Sequence, residues 1–341
     1  MNSSAIGLLI IVIASDQLSV IQGFISTNFD QCRQDYFYNG RPPRSIKKIN
    51  NVDNLGNDAD TEEICQSYEG IKYFATLYDK KYKIPRYSAY LLDPNSNNGG
   101  QPSRRSTWFI EPDLVEKDKF KDMSTLSVFG KAKEKMEFVA NSQATDDDYE
   151  GSLWDKGHLN PNNFQNGAGR TATFTLTNAV PQDSCLNRNY WKEAEDEAKK
   201  LLFQHCTDGK AYFITGAVPD DDKAIYVDNK PKISIPKYMY SAACCDHNTE
   251  KWNSFSFAFA AENKAGVAGV AVLKVSRLSE MTGIDFFDNG QCYSHSIPTM
   301  LHVGKFSEWN KVSLKKRKEE DTKLEELQKK FEEDINKGHN N

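Results

Sequence analysis

The order of strand-like and helical segments constrains the fold of this 341-residue chain more than any other feature. Residues 71–92 hold two aromatic-rich runs around a Lys-Lys turn and predict a β-hairpin. Residues 188–204 carry apolar and aromatic side chains at helical spacing. Further strand-like segments follow at 210–218 and, as a second hairpin, at 252–261 and 266–275. Because strands dominate and helices are inserted between them, we predict an α+β fold.

The segment that leads into the predicted helix, residues 175–191, reads TLTNAVPQDSCLNRNYW. Phe174 and Leu176 alternate with threonines and predict a strand. The chain is expected to turn after Pro181, and Asn187 is expected to be the N-cap residue of the helix.

One histidine and a few amide and carboxylate side chains are candidates for a catalytic site. His158 ends the segment WDKGH, and a neutral imidazole can take a proton from water at physiological pH. The amide of Asn187 could serve as the single protein ligand of a Mg²⁺ ion that keeps most of its waters. Glu195 follows about two helical turns later and could accept hydrogen bonds from those waters. The structural alternatives are a hydrogen-bonding histidine and, for Asn178 and Asn187, turn chemistry.

Two charged stretches have both a functional and a structural interpretation. Arg104 and Arg105 could place a guanidinium on a phosphate, although loop arginines are usually solvated. The acidic run at 146–148 could bind a cation, but a solvated loop is the better interpretation.

Taken together, these residues resemble the DNA/RNA non-specific endonuclease family, the ββα-metal or His-Me finger nucleases. The family pattern is Asp-Arg-Gly-His, then an Asn with a Pro-Gln turn, then a Leu-Asn-x-x-x-Trp helix start with a later Glu. The matching residues are Asp155-Lys156-Gly157-His158, Asn178 with Pro181-Gln182, Leu186-Asn187 with Trp191, and Glu195. The resemblance implies a central antiparallel sheet flanked by helices, in a nuclease domain that spans residues 24–305.

The resemblance also implies a chemistry: Mg²⁺-dependent hydrolysis of phosphodiester bonds in DNA and RNA, with Mn²⁺ as the alternative metal. It makes His158 the general base and Asn187 the metal ligand. Glu195 would fix the metal's waters, and Asn178 would orient the site. Arg105, or else the arginine before it, would neutralise the phosphate. Products would carry 5′-phosphates.

Lys156 is the one departure from the family pattern, because it stands where the family usually has Arg. The charge is kept, but the planar fork that binds phosphate with two hydrogen bonds is lost. The net charge of −5 also excludes binding of nucleic acid mainly through global charge. The alternative function is therefore a catalytically weak or silent nuclease-fold protein that recognises nucleic acid in extracellular defence.

The N-terminal sequence and the cysteines indicate export. Residues 5–14 are an apolar run that is too short to span a bilayer, and they predict a signal peptide over residues 1–23, with a buried helix as the alternative. No later stretch predicts a membrane anchor, so we expect a secreted protein. Seven cysteines follow the run, which predicts disulfides and one unpaired or intermolecular thiol. A metal site at residues 244–247 (CCDH) is the weaker alternative, because adjacent cysteines lack the spacing of zinc ligands.

The C-terminal residues 306–341 are highly charged. Leu324, Leu327, Phe331 and Ile335 lie at intervals of three, four and four residues and predict an amphipathic helix. This helix could be an exposed tail, pack on the domain, or pair with a second copy of the chain to form a homo-oligomer.

Overall fold

The computed structural model describes residues 28–46, 55, 60–96, 108–117, 119–129, 133–249, 253–266, 269–288 and 292. The predicted signal peptide (1–23), Arg104 and Arg105, and the C-terminal segment 306–341 lie outside the described residues, and the interpretations of them remain predictions. Within the described ranges, no helix combines the length and the apolar character that crossing a membrane requires.

Strands and helices alternate irregularly along the described residues. The strands are β1 Arg44–Ser45, β2 Thr61–Tyr68, β3 Ile71–Asp79, β4 Ile84–Leu91, β5 Phe109–Ile110, β6 Ser124–Thr125, β7 Trp154–His158, β8 Ala179–Asp183, β9 Gly209–Val218, β10 Ala224–Val227, β11 Lys230–Ser234, β12 Tyr238–His247, β13 Phe255–Glu262, β14 Ala271–Leu273 and β15 Ile284–Asp285. The helices are α1 Arg33–Tyr36, α2 Leu126–Phe129, α3 Lys133–Ser142, α4 Asp146–Tyr149, α5 Gly167–Ala172, α6 Lys192–His205 and α7 Val275–Thr282. A π-helical turn at Leu186–Trp191 directly precedes α6.

A seven-stranded antiparallel sheet forms the centre of the fold, in the order β14-β13-β12-β9-β4-β3-β2. Both predicted hairpins are present, as β3 with β4 and as β13 with β14. The predicted strand at 210–218 is β9, and the predicted helix at 188–204 is confirmed by the π-helical turn and α6. The α+β class and the central antiparallel sheet are therefore confirmed.

The two faces of the sheet bury two separate apolar cores, because successive side chains of a strand point to opposite faces. One core joins the sheet to β7, β8 and α6, and its sheet residues include Phe74, Tyr90, Phe213, Met239 and Phe259. The other core joins the sheet to the N-terminal segment and α7, and its sheet residues include Ala75, Tyr87, Ile214, Tyr240 and Ala258. Helix α6 buries Ala194, Ala198, Leu201 and Leu202 on the first core.

The prediction of a strand at Phe174 and Leu176 is wrong. Residues Leu176–Asn178 form a 3-10 turn, and the strand is β8, which contains Pro181. Proline is tolerated there because β7 and β8 form a two-stranded ribbon, which leaves one edge of each strand without a ladder partner. The expected turn after Pro181 therefore comes later, beyond Asp183.

The prediction that Asn187 is the N-cap residue is also wrong. The helical conformation begins at Ser184, two residues before the π-helical turn, and Asn187 lies in its first turn. Asp183 does the capping instead, since its Oδ1 accepts hydrogen bonds from the backbone N–H groups of Cys185 (2.9 Å) and Leu186 (3.0 Å). The side chain of Asn187 is thereby left available for other contacts.

The cysteines form disulfides, as predicted. The pairs are Cys32–Cys65, Cys206–Cys245 and Cys244–Cys292, and the unpaired thiol is the exposed Cys185. The ring of His247 contacts the Asp208 carboxylate and the His205 carbonyl. The segment at 244–247 thus carries disulfide partners, and not a metal site.

Candidate active site

Strands β7 and β8 and the helical segment after them form a ββα unit. The ribbon pairs Asp155 with Gln182 and His158 with Ala179. The helical segment returns to the ribbon, and Asn187 Nδ2 donates a 3.0 Å hydrogen bond to Asp155 Oδ2. The histidine-containing strand and the asparagine-containing helix are therefore in direct contact, although 32 residues separate the two bonded side chains.

A cleft of about 540 Å³ lies beside this contact. Its lining residues are Trp108, Asp146, Asp147, Tyr149, Glu150, Trp154, Asp155, Lys156 and Asn187. Four of these side chains are carboxylates and one is a cation. The cleft is therefore acidic, and a polyanion gains little from the fixed charges of the described lining residues.

Lys156 is the cation of the cleft, and its ammonium group already has partners. Its Nζ forms an ion pair with Asp146 and lies 5.7 Å from the ring centroid of Trp108 and 5.5 Å from that of Tyr149. A phosphate would have to compete with Asp146 for this ammonium group. The expectation that lysine at this position binds phosphate less well than arginine stays a prediction.

His158 packs between two aromatic rings. Its ring centroid lies 4.7 Å from that of Trp108 and 4.8 Å from that of Phe174. The residue is half-buried, and its Nε2 is buried without a hydrogen-bond partner among the described residues. Burial lowers the pKa of His158 to about 4, so the imidazole is neutral at physiological pH. His158 is not among the described residues that line the cleft, but it contacts one of them, Trp108.

Asn178 is fully buried and all its polar atoms are paired. Its Oδ1 accepts from Ser88 Oγ and from the Asn160 backbone N–H, both at 2.9 Å. Its Nδ2 donates to the carbonyls of Asn160 (3.1 Å) and Thr173 (2.9 Å). Asn178 thus holds the backbone segment that follows His158 in place, and it can affect the site only through that segment.

Glu195 lies on α6, half-buried and on the side of the first core. Burial, and to a smaller degree the nearby Asp196, raises the pKa of Glu195 to about 8. The carboxyl group is therefore mainly protonated at neutral pH unless a cation approaches it. Glu195 is not among the described residues that line the cleft.

Of the predicted site residues, Asn187 lines the cleft, and His158 contacts the lining residue Trp108. Asn178 and Glu195 are not among the described lining residues of the cleft, and Arg105 lies outside the described residues. The roles assigned to all five residues remain predictions.

The residues around the ribbon fit a hydrated divalent cation. Gln182 is fully buried, and both atoms of its amide lack a hydrogen-bond partner among the described residues. Its side chain packs against Gly157, where a Cβ atom would come within 2.2 Å of Gln182 Oε1. Buried polar groups without partners are rare, and bound water or an ion is a usual explanation. The amide oxygen of Asn187 is a type of ligand that a hydrated Mg²⁺ ion accepts.

No group of three or more His, Cys, Asp or Glu side chains among the described residues could form a metal site by itself. A cation that keeps most of its waters does not need such a group.

The sequence interpretation missed the contacts of Asp155 and the residue Arg188. The Arg188 guanidinium donates to both carboxylate oxygens of Asp155, at 2.8 Å from Nε and 2.6 Å from Nη2. These bonds and the bond from Asn187 outweigh burial and lower the pKa of Asp155. The sequence could have singled out Arg188 only by its position directly after Asn187. It does not reveal the partner of Arg188, because Asp155 lies 33 residues away in the sequence.

Comparison with known proteins identifies several relatives. The family model described as DNA/RNA non-specific endonuclease matches residues 53–291. The human Endonuclease domain-containing 1 protein is 29% identical over 218 residues, which are 64% of this chain and 39% of that protein. Nuclease 1, mitochondrial, from Schizosaccharomyces pombe is 24% identical over 205 residues, 56% of this chain and 55% of that protein.

The chain spans about 40% of the length of the human and mouse Endonuclease domain-containing 1 proteins. The solved structure of the EndoG/EndoGI complex contains a chain that is 18% identical in sequence to this one, with a TM-score of 0.44. The match covers 66% of this chain and 86% of that chain.

Proposed function

The chain belongs to the DNA/RNA non-specific endonuclease family, and on that premise we propose that it is a secreted, divalent-cation-dependent endonuclease that hydrolyses phosphodiester bonds of DNA and RNA. The observation that carries the proposal is the hydrogen bond between Asn187 and Asp155 at the edge of the cleft. It joins the two sequence segments on which the family resemblance depends.

Asn187 is the residue that would hold the cation, through its amide oxygen. Its Nδ2 is bonded to Asp155, so the oxygen points away from that carboxylate. Mg²⁺, or Mn²⁺ in its place, would supply positive charge to the phosphate and to the leaving oxygen when bound. Gln182 on the ribbon and Glu195 on the helix would bond the waters around such an ion, and Glu195 would then favour its ionised form.

His158 would act as the general base that takes a proton from the attacking water. Its low pKa keeps the imidazole unprotonated at neutral pH, which is the form that a base needs. The same low pKa makes it a weaker base than an ordinary histidine, so the proton transfer has less driving force. Asn178 would keep the backbone next to His158 in place. Arg105 would supply the phosphate-binding guanidinium.

Secretion is supported by the three disulfides, which are typical of proteins from oxidising compartments. The apolar run at residues 5–14 supports it independently. The expected observation is a processed protein in the medium of expressing cells, and a protein that stays inside the cell at full length would contradict secretion.

A second candidate function is a nuclease-fold protein with little or no turnover. The Lys156–Asp146 ion pair and the acidic lining of the cleft favour this candidate, because both weaken the attraction of a phosphodiester backbone. Binding of nucleic acid without cleavage would support it.

The test is cleavage of plasmid DNA and of single-stranded RNA by the purified full chain in Mg²⁺, in Mn²⁺ and in EDTA. The proposal expects cleavage only with a divalent cation and its loss in the His158→Ala and Asn187→Ala variants. The matched controls are His205→Ala and Asn189→Ala, which replace exposed residues on the same helical segment. Cleavage that survives in His158→Ala, or that is absent from the wild type with every divalent cation, would reject the enzymatic proposal.

A further inference from the structure

The carboxylate of Asp155 is held by two consecutive residues of the helical segment. It accepts hydrogen bonds from Asn187 Nδ2 at 3.0 Å, from Arg188 Nε at 2.8 Å and from Arg188 Nη2 at 2.6 Å. The Asp155 side chain is 18% exposed and that of Arg188 is 70% exposed. The guanidinium therefore covers the carboxylate from the solvent side, and its two charge-assisted bonds fix the carboxylate plane.

The bond to Asn187 decides which end of that amide faces the cleft. An asparagine amide has a donor end and an acceptor end, and a half-turn about its terminal torsion exchanges them. An ionised carboxylate only accepts hydrogen bonds, so it attracts the Nδ2 end of Asn187 and repels the oxygen end. The oxygen of Asn187 consequently points away from Asp155, in a residue that lines the cleft.

We propose that Asp155, clamped by Arg188, is the positioning residue that turns the amide oxygen of Asn187 toward the cleft and so sets the affinity of the site for its divalent cation. Three donors already occupy the carboxylate, and Asp155 therefore acts on the cation through Asn187. The inference rests on the proposed function in one respect, since it takes Asn187 as the ligand of the cation.

The expected effect of Asp155 on the affinity for the cation can be judged by replacing it with a neutral residue of the same shape. An asparagine at position 155 can accept from Asn187 or donate to it, so both orientations of the Asn187 amide become comparable. A hydrogen bond to a charged group that aligns a ligand typically changes metal affinity by roughly 10- to 100-fold. The Asp155→Asn variant should therefore bind the cation about tenfold more weakly or worse.

The experiment measures Mn²⁺ binding to the full chain by electron paramagnetic resonance of the free ion, together with the thermal unfolding midpoint in EDTA. The variants are Asp155→Asn, Arg188→Met and Asn187→Ala. The matched control is Asp147→Asn, which removes the same charge from an exposed residue of the same cleft. We expect weaker Mn²⁺ binding in Asp155→Asn, a smaller loss in Arg188→Met, and little change in Asp147→Asn.

The outcomes separate the inference from the proposed function. Equal losses in Asp155→Asn and Asp147→Asn would show a general effect of charge and overturn the inference. Wild-type affinity in Asp155→Asn beside lost binding in Asn187→Ala would overturn it too, while the metal assignment stands. Wild-type affinity in Asn187→Ala would overturn the metal assignment itself. If Asp155→Asn unfolds, Asp155→Glu replaces it: the charge is kept but displaced, and unchanged affinity in a folded Asp155→Glu would contradict the positioning role.

Discussion

Acidification should destabilise this protein through His158 well before the histidine in the folded state becomes charged. The unfolded chain binds this proton with an ordinary pKa of about 6.5, whereas burial between Trp108 and Phe174 lowers the pKa of the folded protein to about 4. Between these two pH values the unfolded state binds more protons, so the free energy of unfolding falls as the pH falls. Each unit of pKa difference is about 1.4 kcal/mol, which gives a total of about 3 kcal/mol lost between pH 6.5 and pH 4.

The assay is urea unfolding of the wild type and of His158→Gln at several pH values from 7.5 to about 4.5. The variant removes this titration and retains those of the carboxylates. The difference in unfolding free energy between the two proteins should therefore shrink by about 1 kcal/mol per pH unit below pH 6.5. Nuclear magnetic resonance titration of the His158 ring protons, assigned with the same variant, gives the pKa directly. A midpoint at pH 6 or above would refute the reasoning, as would a pH-independent difference between the two proteins.

Three further predictions concern Asn178, Glu195 and the first disulfide. Asn178→Ala should lower the free energy of unfolding by about 3 kcal/mol or more in urea, because it leaves several buried groups without partners; a loss below about 1 kcal/mol would contradict the buried network. Glu195 has a raised pKa, so its contribution to stability should be lost as the pH rises from about 4.5 to 8, and the thermal midpoint of the wild type should fall relative to that of Glu195→Gln over that range. An identical pH dependence in both proteins would contradict this. Replacing Cys32 and Cys65 by serine should cost about 3–4 kcal/mol in urea unfolding under non-reducing conditions, and an unchanged midpoint would show that the bridge contributes nothing.

The elements that the sequence predicted correctly have strong local periodicity. The hairpin of β3 and β4 is rich in aromatic residues, and the helix at 188–204 carries apolar and aromatic residues at helical spacing. Strand β12 was not predicted, because YMYSAACCDH is buried along nearly its whole length and shows no alternation. Strand β8 was misplaced because its Pro181 argues against a strand in any setting except an edge or a two-stranded ribbon.

The candidate site was predictable in its residue types but not in its contacts. The motif around His158 and the segment around Asn187 could be found because their order and spacing resemble the family pattern. The partner of Lys156 is Asp146, ten residues earlier, and the partner of Asn187 and Arg188 is Asp155, on another element. Such pairs depend on how the ribbon and the helix pack. The lowered pKa of His158 likewise depends on two rings that only folding brings together.

The second core, on the face of the sheet away from the cleft, has a mechanical consequence. The bridges Cys32–Cys65 and Cys244–Cys292 tie the first and last described segments of the domain to strands β2 and β12 of the central sheet. A pulling force applied between those two segments would pass through covalent bonds into the sheet and would not load the β7–β8 ribbon. When the disulfides are formed, stretching the molecule should leave the cleft intact until the sheet itself ruptures. When the disulfides are reduced, the same force should first detach the two outer segments from the sheet.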